Sequence, residues 1–135
     1  MNLVLADTHV LIWLLDGRTA LGRGTRDLID EALGDDRFCV SAITFWEVTM
    51  LAGKGRIQLQ RSPESWRRAV LDLGVTEIPL TGNVVVSAAI LRNFHGDLID
   101  RFVTATAISS DAALITADRQ ILGWQGEATT WDAGR

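Results

Sequence analysis

The chain has 135 residues, 47% of them hydrophobic and 22% charged, which predicts one globular domain over residues 1–135. Its formal net charge of −4 argues against a nucleic-acid partner unless bound cations offset the acids, and a single cysteine excludes an internal disulfide and a thiolate metal cluster. No stretch approaches the ~20 apolar residues of a membrane span and the amino terminus has no signal-peptide pattern, so we expect a cytoplasmic protein without a membrane partner.

Short apolar runs alternate with helical patterns along the whole chain. The first run, residues 3–6, predicts a strand buried on both faces, and a helix follows from Thr8 through the apolar segment 10–15. The further predicted elements are, in order, a helix at 25–33, a strand at 37–40, a helix at 42–52 capped by Ser41, a helix at 63–74, a strand at 75–78, helices at 82–91 and 97–110, a strand at 113–116 and an edge strand at 128–131. This alternation is typical of a three-layer α/β/α fold with a central parallel sheet of four to five strands flanked by helices.

Two acidic residues follow buried strands. Asp7 stands at the carboxyl end of the strand 3–6, and Asp118 stands just beyond the strand 113–116. Open α/β sheets bind their ligands at this end of their strands, which favours a functional role. Each residue also suits a helix cap or a turn, and that alternative stays open for either one alone.

Glu47 lies inside an apolar stripe of the third predicted helix. The stripe consists of Ile43, Trp46, Met50 and Leu51. An ionised carboxylate on a buried helix face costs several kcal/mol unless a cation or a metal neutralises it. The alternative is a glutamate at the edge of the stripe that reaches solvent.

Asp97 and Asp100 open the sixth predicted helix three residues apart. Acids stabilise a helix amino terminus, which is enough to explain both. The helix face below Asp100 continues through small and apolar residues, Val103, Thr104 and Ala107. We therefore expect Asp100 to be tucked against the sheet and Asp97 to be the helix cap.

Four acids are thus expected near one edge of one sheet. They are Asp7, Glu47, Asp100 and Asp118. Carboxylates this close raise one another's pKa, and a divalent cation relieves the repulsion. Mg²⁺, with Mn²⁺ as a substitute, suits a site of hard oxygen ligands. Two such ions would add about four positive charges, which offsets the net charge of the chain.

Four segments carry these acids in a recognisable order. They are 4–10 (VLADTHV), 41–48 (SAITFWEV), 95–101 (HGDLIDR) and 114–118 (LITAD). Together they resemble the motifs of PIN-domain ribonucleases and, more narrowly, of the VapC-type toxins of bacterial toxin–antitoxin pairs. Residues 54–59 also resemble the toxin branch, and the resemblance extends over residues 3–131. The chain departs from it at Leu98, where toxins often have proline.

The resemblance implies a single PIN domain that is a magnesium-dependent endoribonuclease. The metal-binding and catalytic acids of the family carry over onto Asp7, Glu47, Asp100 and Asp118. Thr8 and Thr116 match the hydroxyl residues that orient carboxylates or water beside them, and Asp97 matches a position that varies in the family. The ion would activate water to attack RNA phosphodiester bonds.

The resemblance also implies partners. They are an RNA substrate, a cognate antitoxin whose tail covers the site, and a second copy of the chain in a homodimer. The free toxin would inhibit translation and growth. The first helix with Trp13 and the third with Phe45 and Trp46 offer apolar faces for a partner, although core packing explains that apolarity equally well.

Basic residues and histidines near the motifs are candidates for substrate contact. The candidates for phosphate contact are Lys54, Arg56, Arg101 and Arg119, each with a solvated surface role as the alternative. His9 and His95 have no partner at an evident spacing, so we predict structural or substrate-contacting roles for both rather than catalytic ones.

Two other classes of function compete with a nuclease. A phosphoacceptor signalling domain needs an acid pair after the first strand and a late lysine, whereas Thr8 follows Asp7 here and Lys54 is the only lysine. A PIN module that only binds a partner is the second rival. The presence of all four acids argues against it.

Overall fold

The computed structural model describes residues 2–135. Its strands are β1 (Val4–Ala6), β2 (Phe38–Ser41), β3 (Thr76–Ile78), β4 (Ala113–Thr116) and β5 (Thr129–Asp132). Its helices are α1 (Thr8–Asp16), α2 (Arg23–Gly34), α3 (Ile43–Gly53), α4 (Pro63–Asp72), α5 (Gly82–Ala89), α6 (Leu98–Ser109) and α7 (Arg119–Leu122). The strands form one parallel sheet in the order β3-β2-β1-β4-β5, with β1 at its centre.

Helices cover both faces of this sheet. Val4 and Ala6 of β1 pack on one face with residues of α1, α2 and α4. Leu5, between them in the chain, packs on the other face with residues of α6 and α7. All of β1 is buried, as its apolar run predicted. The predicted three-layer α/β/α fold with a central parallel sheet is confirmed.

The third helix buries a different face from the one predicted. Thr44 and Val48 are its fully buried residues, whereas Trp46 is 55% exposed. The segment is apolar on most sides, so its periodicity does not single out one face. Ser41, predicted as the cap, is the last residue of β2, and its hydroxyl accepts the N–H of Ile43 at 3.3 Å.

The second half of the chain follows the prediction closely, with one addition. The short helix α7 was not predicted, although Asp118 was considered as a helix cap and is the residue that caps it. The edge strand β5 lies where it was expected, beside β4. Within residues 2–135, the structure has no helix with both the length and the apolarity needed to cross a membrane.

Gly22, just before α2, has no room for a side chain. A Cβ placed there would collide with the main-chain carbonyl of Arg135, which accepts the N–H of Thr25 at 3.0 Å. We expect Gly22→Ala to lower the free energy of unfolding by about 1–3 kcal/mol, measured by urea denaturation. Gly34→Ala, in the same helix, meets no atom within 4 Å and is the matched control. Equal effects of the two substitutions would contradict this account of Gly22.

Candidate metal centre

The four predicted acids come together at the carboxyl edge of the sheet. Asp7 follows β1 and Asp118 lies just beyond the neighbouring β4, while Glu47 projects from α3 and Asp100 from α6. All four line one cleft of about 260 Å³. His9, Trp13, Asp97 and Ala117 complete its wall. The expected convergence of the acids is therefore present.

Asp7 is the most buried of the four, at 7% exposure. Its carboxylate accepts the N–H of Thr8 at 2.8 Å and the hydroxyl of Thr116 at 2.7 Å. Burial raises the pKa of Asp7, and these two hydrogen bonds oppose the rise. Asp7 also caps α1, so the capping role and a place in the site coexist in one side chain.

Glu47 faces the cleft from α3 and is partly buried. Burial raises its pKa, the hydroxyl of Thr8 lowers it, and the nearby charge of Asp7 raises it further. The same Thr8 hydroxyl lies 3.0 Å from the hydroxyl of Thr44 on α3. Thr8 therefore links α1 to α3 between the two acids.

Asp100 has a partner that the sequence did not reveal. Its carboxylate oxygen Oδ2 lies 2.7 Å from Nε2 of His95. Burial raises the pKa of Asp100 to about 6, and the contact with His95 opposes that rise. No spacing in the sequence indicated this partner for His95, because the loop before α6 folds the imidazole back onto the first turn of the helix. Asp97 caps α6 as predicted, accepting the N–H of Asp100 at 2.9 Å.

Asp118 is fixed by main-chain donors. Its carboxylate accepts the N–H of Gln120 at 2.8 Å and that of Ile121 at 3.0 Å. Its own N–H donates to the hydroxyl of Thr116 at 3.0 Å, so Thr116 contacts both Asp7 and Asp118. The predicted pairing of Thr116 with a carboxylate is present.

The donor atoms of this cleft fit a divalent cation. Carboxylate oxygens are hard ligands of the kind that Mg²⁺ and Mn²⁺ prefer. Burial is the largest cause of the raised pKa values of Asp7, Glu47 and Asp100, and repulsion among the acids adds less than the sequence suggested. A positive ion would offset the cost of keeping these buried groups ionised.

Arg101, a predicted candidate for phosphate contact, has its donors used within the protein. Its guanidinium donates to the main-chain carbonyls of Ala88, Phe94 and His95 at 2.7–3.0 Å. It also lies over the ring of Phe94, at 5.6 Å from the centroid. Since its donors are used on the connection between α5 and α6, Arg101 holds that loop in place.

The other predicted basic residues remain at the surface. Arg119 is 81% exposed and forms an ion pair with Asp132 at 3.1 Å. Lys54 and Arg56 follow the end of α3 and are exposed, and Arg56 lines a second, larger cleft. These positions leave phosphate contact open for Lys54, Arg56 and Arg119.

The larger cleft, of about 960 Å³, adjoins the acid cleft. The two share His9, Trp13 and Glu47. The wall of the larger cleft combines apolar and basic side chains, among them Ile12, Met50, Trp66, Arg18, Arg56 and Arg61. Sequence reasoning missed Arg18 and Arg61, because neither stands in a motif and only the folding of α1 against the segment after α3 brings them together.

Thr116→Val tests whether the Thr116 hydroxyl organises the acids. Valine keeps the shape but removes the group that donates to Asp7 and accepts from Asp118. We expect the free energy of unfolding to fall by about 1–3 kcal/mol and divalent-ion affinity to fall about 10–100-fold. Calorimetric titration with Mn²⁺ and thermal unfolding measure the two effects. Thr116→Ser, which keeps a hydroxyl, is the control, and parental affinity in the valine variant would refute the assignment.

The sequence and the fold of this chain are similar to those of several known proteins. The sequence profile of the PIN domain matches residues 4–122. Ribonuclease VapC22 of Mycobacterium tuberculosis is 34% identical over 122 residues, which cover 90% of this chain and 91% of that protein. A toxin-antitoxin complex from Klebsiella pneumoniae contains a chain with a TM-score of 0.64 and 24% identity, covering 96% of this chain and 97% of that one. DNA-bound VapBC from Salmonella typhimurium gives a TM-score of 0.71 at 16% identity, with 98% of each chain covered.

Proposed function

This chain belongs to the PIN domain family as a VapC-type member, and from that premise we propose that it is a metal-dependent endoribonuclease, the toxin of a bacterial toxin–antitoxin pair. The observation that carries the proposal is the single cleft lined by Asp7, Glu47, Asp100 and Asp118. We propose Mg²⁺ as the ion, with Mn²⁺ as a substitute, and the cytoplasm as the place of action. The relative from Mycobacterium tuberculosis, named a ribonuclease, supports the choice of RNA as substrate.

In the proposed reaction the protein supplies a partly buried binding site formed by carboxylates held in fixed positions. Thr8 and Thr116 fix the carboxylate of Asp7, and main-chain donors of α7 fix that of Asp118. When bound there, a divalent ion supplies a Lewis acid that makes water a nucleophile near neutral pH and stabilises the charge on the phosphate. Cys39 offers no rival nucleophile, because it is a buried residue of β2 and burial raises its pKa to about 12.

The surface around the cleft supports an extended RNA substrate. Arg56 in the adjoining cleft, together with exposed Lys54 and Arg119, provides cationic groups for phosphate oxygens. The larger cleft shares lining residues with the acid cleft. An RNA strand bound along the larger cleft would therefore pass next to the acids.

The same larger cleft supports binding of an antitoxin. Its apolar side chains suit the apolar face of a peptide segment, and its arginines suit acidic residues of that segment. An antitoxin bound there would cover Glu47 and His9, which both clefts share, and so would block RNA. Free toxin would then cut RNA and arrest translation and growth.

Exposed apolar side chains support a homodimer. Trp46 of α3, Val86 of α5, Ile90 after it and Leu98 of α6 are each at least 55% exposed. α6 packs against both α3 and α5, so these residues lie on neighbouring elements. Apolar surface of this kind is typical of interfaces between subunits. Trp13 and Phe45, also considered for a partner, pack partly against the core.

Cleavage of RNA by the purified protein, freed of any antitoxin, tests the proposed function. We expect internal cuts with Mg²⁺ or Mn²⁺ and none after chelation. Because water is the proposed nucleophile, the ends should carry no 2′,3′-cyclic phosphate, which is the product of attack by the ribose 2′-hydroxyl. If every RNA stays whole with every divalent ion, a PIN module that only binds its partner becomes the better interpretation.

A further inference from the structure

His95 is held in a fixed position in the loop between α5 and α6. Its ring stacks on that of Phe94 with centroids 4.4 Å apart and planes 21° from parallel. Its side chain is only 15% exposed, and Nε2 lies 2.7 Å from Oδ2 of Asp100. The imidazole is therefore a mostly buried group that stands behind Asp100, one of the acids that line the cleft.

Contacts outside the acid cluster hold this loop. Arg101 donates to the carbonyls of His95 and Phe94, and the edge of the Trp124 ring meets Phe94 with centroids 5.1 Å apart. The indole N–H of Trp124 in turn donates to the carbonyl of Arg92 at 2.9 Å. None of these contacts involves the acids, so they hold the loop independently of Asp100.

Asp100 depends on His95 more than Asp7 or Asp118 depends on any one donor. Asp7 and Asp118 each accept two hydrogen bonds from fixed donors. Within the part of the chain that the structure describes, residues 2–135, His95 is the one hydrogen-bond partner of the Asp100 carboxylate. Without it, rotation about the side-chain bonds of Asp100 would be restrained by packing alone.

We propose that His95 is a positioning residue for the metal centre: its Nε2–H donates to Oδ2 of Asp100 and holds that carboxylate in the orientation in which its other oxygen binds the ion. This inference rests on the proposed function and adds a role for a residue outside the four acids. Carboxylates that bind metals are commonly held by such hydrogen bonds, and loss of one costs about 10–100-fold in metal affinity.

An arrangement in which His95 itself binds the ion is compatible with the distances, but the chemistry of the imidazole disfavours it. One ligand atom from each of His95, Asp100 and Asp118 lies within 4.8 Å of the others, so the imidazole is near enough to bind an ion itself. In the proposed tautomer Nε2, the ring nitrogen nearest Asp100, carries a proton and has no lone pair for a metal. Mg²⁺ also prefers oxygen ligands to imidazole nitrogen.

A pair of substitutions separates the hydrogen bond from the ring. His95→Phe keeps an aromatic ring to stack on Phe94 but has no N–H, whereas His95→Gln keeps an amide N–H without the ring. We expect His95→Phe to weaken Mn²⁺ binding about 10–100-fold, measured by the electron paramagnetic resonance of free Mn²⁺. We expect His95→Gln to stay within about 3-fold of the parent, because its N–H can replace the donor. The Mg²⁺ concentration for half-maximal RNA cleavage should shift in the same order, with far-ultraviolet circular dichroism as the folding control.

Parental Mn²⁺ affinity in His95→Phe would overturn the inference, and so would equal losses in both variants. Pulsed electron paramagnetic resonance of bound Mn²⁺ gives a second answer. His9 also lines the cleft, so the measurement is made on His9→Phe as well as on the parent. The proposal predicts no coordinated nitrogen from His95, and a strongly coupled ¹⁴N signal that persists in His9→Phe would overturn it by making His95 a ligand. Asp100→Asn separates the two levels of the account. If Asp100→Asn binds Mn²⁺ as tightly as the parent, or if the parent binds none, the proposed metal centre fails and the role of His95 fails with it. If Asp100→Asn weakens Mn²⁺ binding and the histidine variants do not, only the role of His95 fails.

Discussion

Asparagine in place of Asp7 is expected to lower metal-dependent RNA cleavage by at least about 100-fold, more than the loss of a supporting hydrogen bond would. The same substitution should make the metal-free protein more stable. The amide oxygen can still accept the N–H of Thr8, and the amide nitrogen can donate to the hydroxyl of Thr116, so the contacts of the carboxylate are kept. What is removed is the cost of an ionised group in a buried position, the cause of the raised pKa of Asp7.

Asp100→Asn should give the same pair of effects. The pKa of Asp100 rises from 3.8 to about 6 in the folded protein, so above that pH its ionised form opposes folding. After discounting for screening by water, we expect Asp100→Asn to raise the free energy of unfolding by an amount on the order of 1–2 kcal/mol near neutral pH. Loss of function with gain of stability identifies a residue kept for chemistry rather than for folding.

The control for both variants is Asp30→Asn, which makes the same chemical change on an exposed position of α2. It should leave cleavage and the melting temperature unchanged. RNA cleavage with Mg²⁺ and thermal unfolding with a chelator measure the two quantities. A parental cleavage rate in Asp7→Asn or Asp100→Asn would show that the site has been wrongly assigned.

The stability of the metal-free protein should fall as pH rises through the range from about 4 to about 6. In this range the unfolded chain has already released the proton of Asp100, whose ordinary pKa is 3.8, while the folded protein still holds it. The folded state then binds more protons, so the free energy of unfolding decreases with pH and stays lower above about 6. The raised pKa values of Asp7 and Glu47 act in the same direction.

Divalent ions should reverse this loss, and more strongly at higher pH. Ions bind the ionised acids and compete with protons for them, so the stabilisation should be small near pH 5 and large near pH 8. With free ion at about 100 times its dissociation constant, linkage gives about 2.7 kcal/mol, or roughly 10 °C in melting temperature for a chain of this size. Thermal unfolding with Mg²⁺ or chelator at the two pH values measures it. An ion effect that is equal at both, or absent in the parent, would contradict the account.

Features encoded by neighbouring residues were predictable from the sequence. The apolar run before Asp7 specifies β1, and the parallel sheet follows from strands that alternate with helices. Asp7 and Asp118 were found because acids that follow strands of a parallel sheet meet at one edge. Asp97 was correctly assigned as a cap because helix starts have strong local signals.

Features that depend on how a loop folds were not predictable. His95 and Asp100 are close because the loop that ends at α6 turns back, and it includes Asn93 with a φ of 56°. Arg101 points into that loop and not toward solvent, which no local pattern indicates. A basic residue beside a motif acid therefore suggests substrate contact from sequence, whereas in the structure Arg101 supports the loop.

The face of α3 was misjudged for a different reason. In an amphipathic helix, polar residues on the exposed side reveal which side is buried. α3 has few polar residues, so its sequence does not mark one side as buried. Its buried face consists of Thr44 and Val48, whereas the larger Trp46 is exposed. Glu47 nonetheless lies with the other acids, as its place among apolar residues suggested, and lines the cleft.

The most direct test of the metal centre is a crystal structure of the protein grown with Mn²⁺, using anomalous scattering at the manganese absorption edge. The account predicts an anomalous peak inside the cleft, coordinated by carboxylate oxygens from among Asp7, Glu47, Asp100 and Asp118. No peak there at saturating Mn²⁺, or a peak only at other positions, would contradict it.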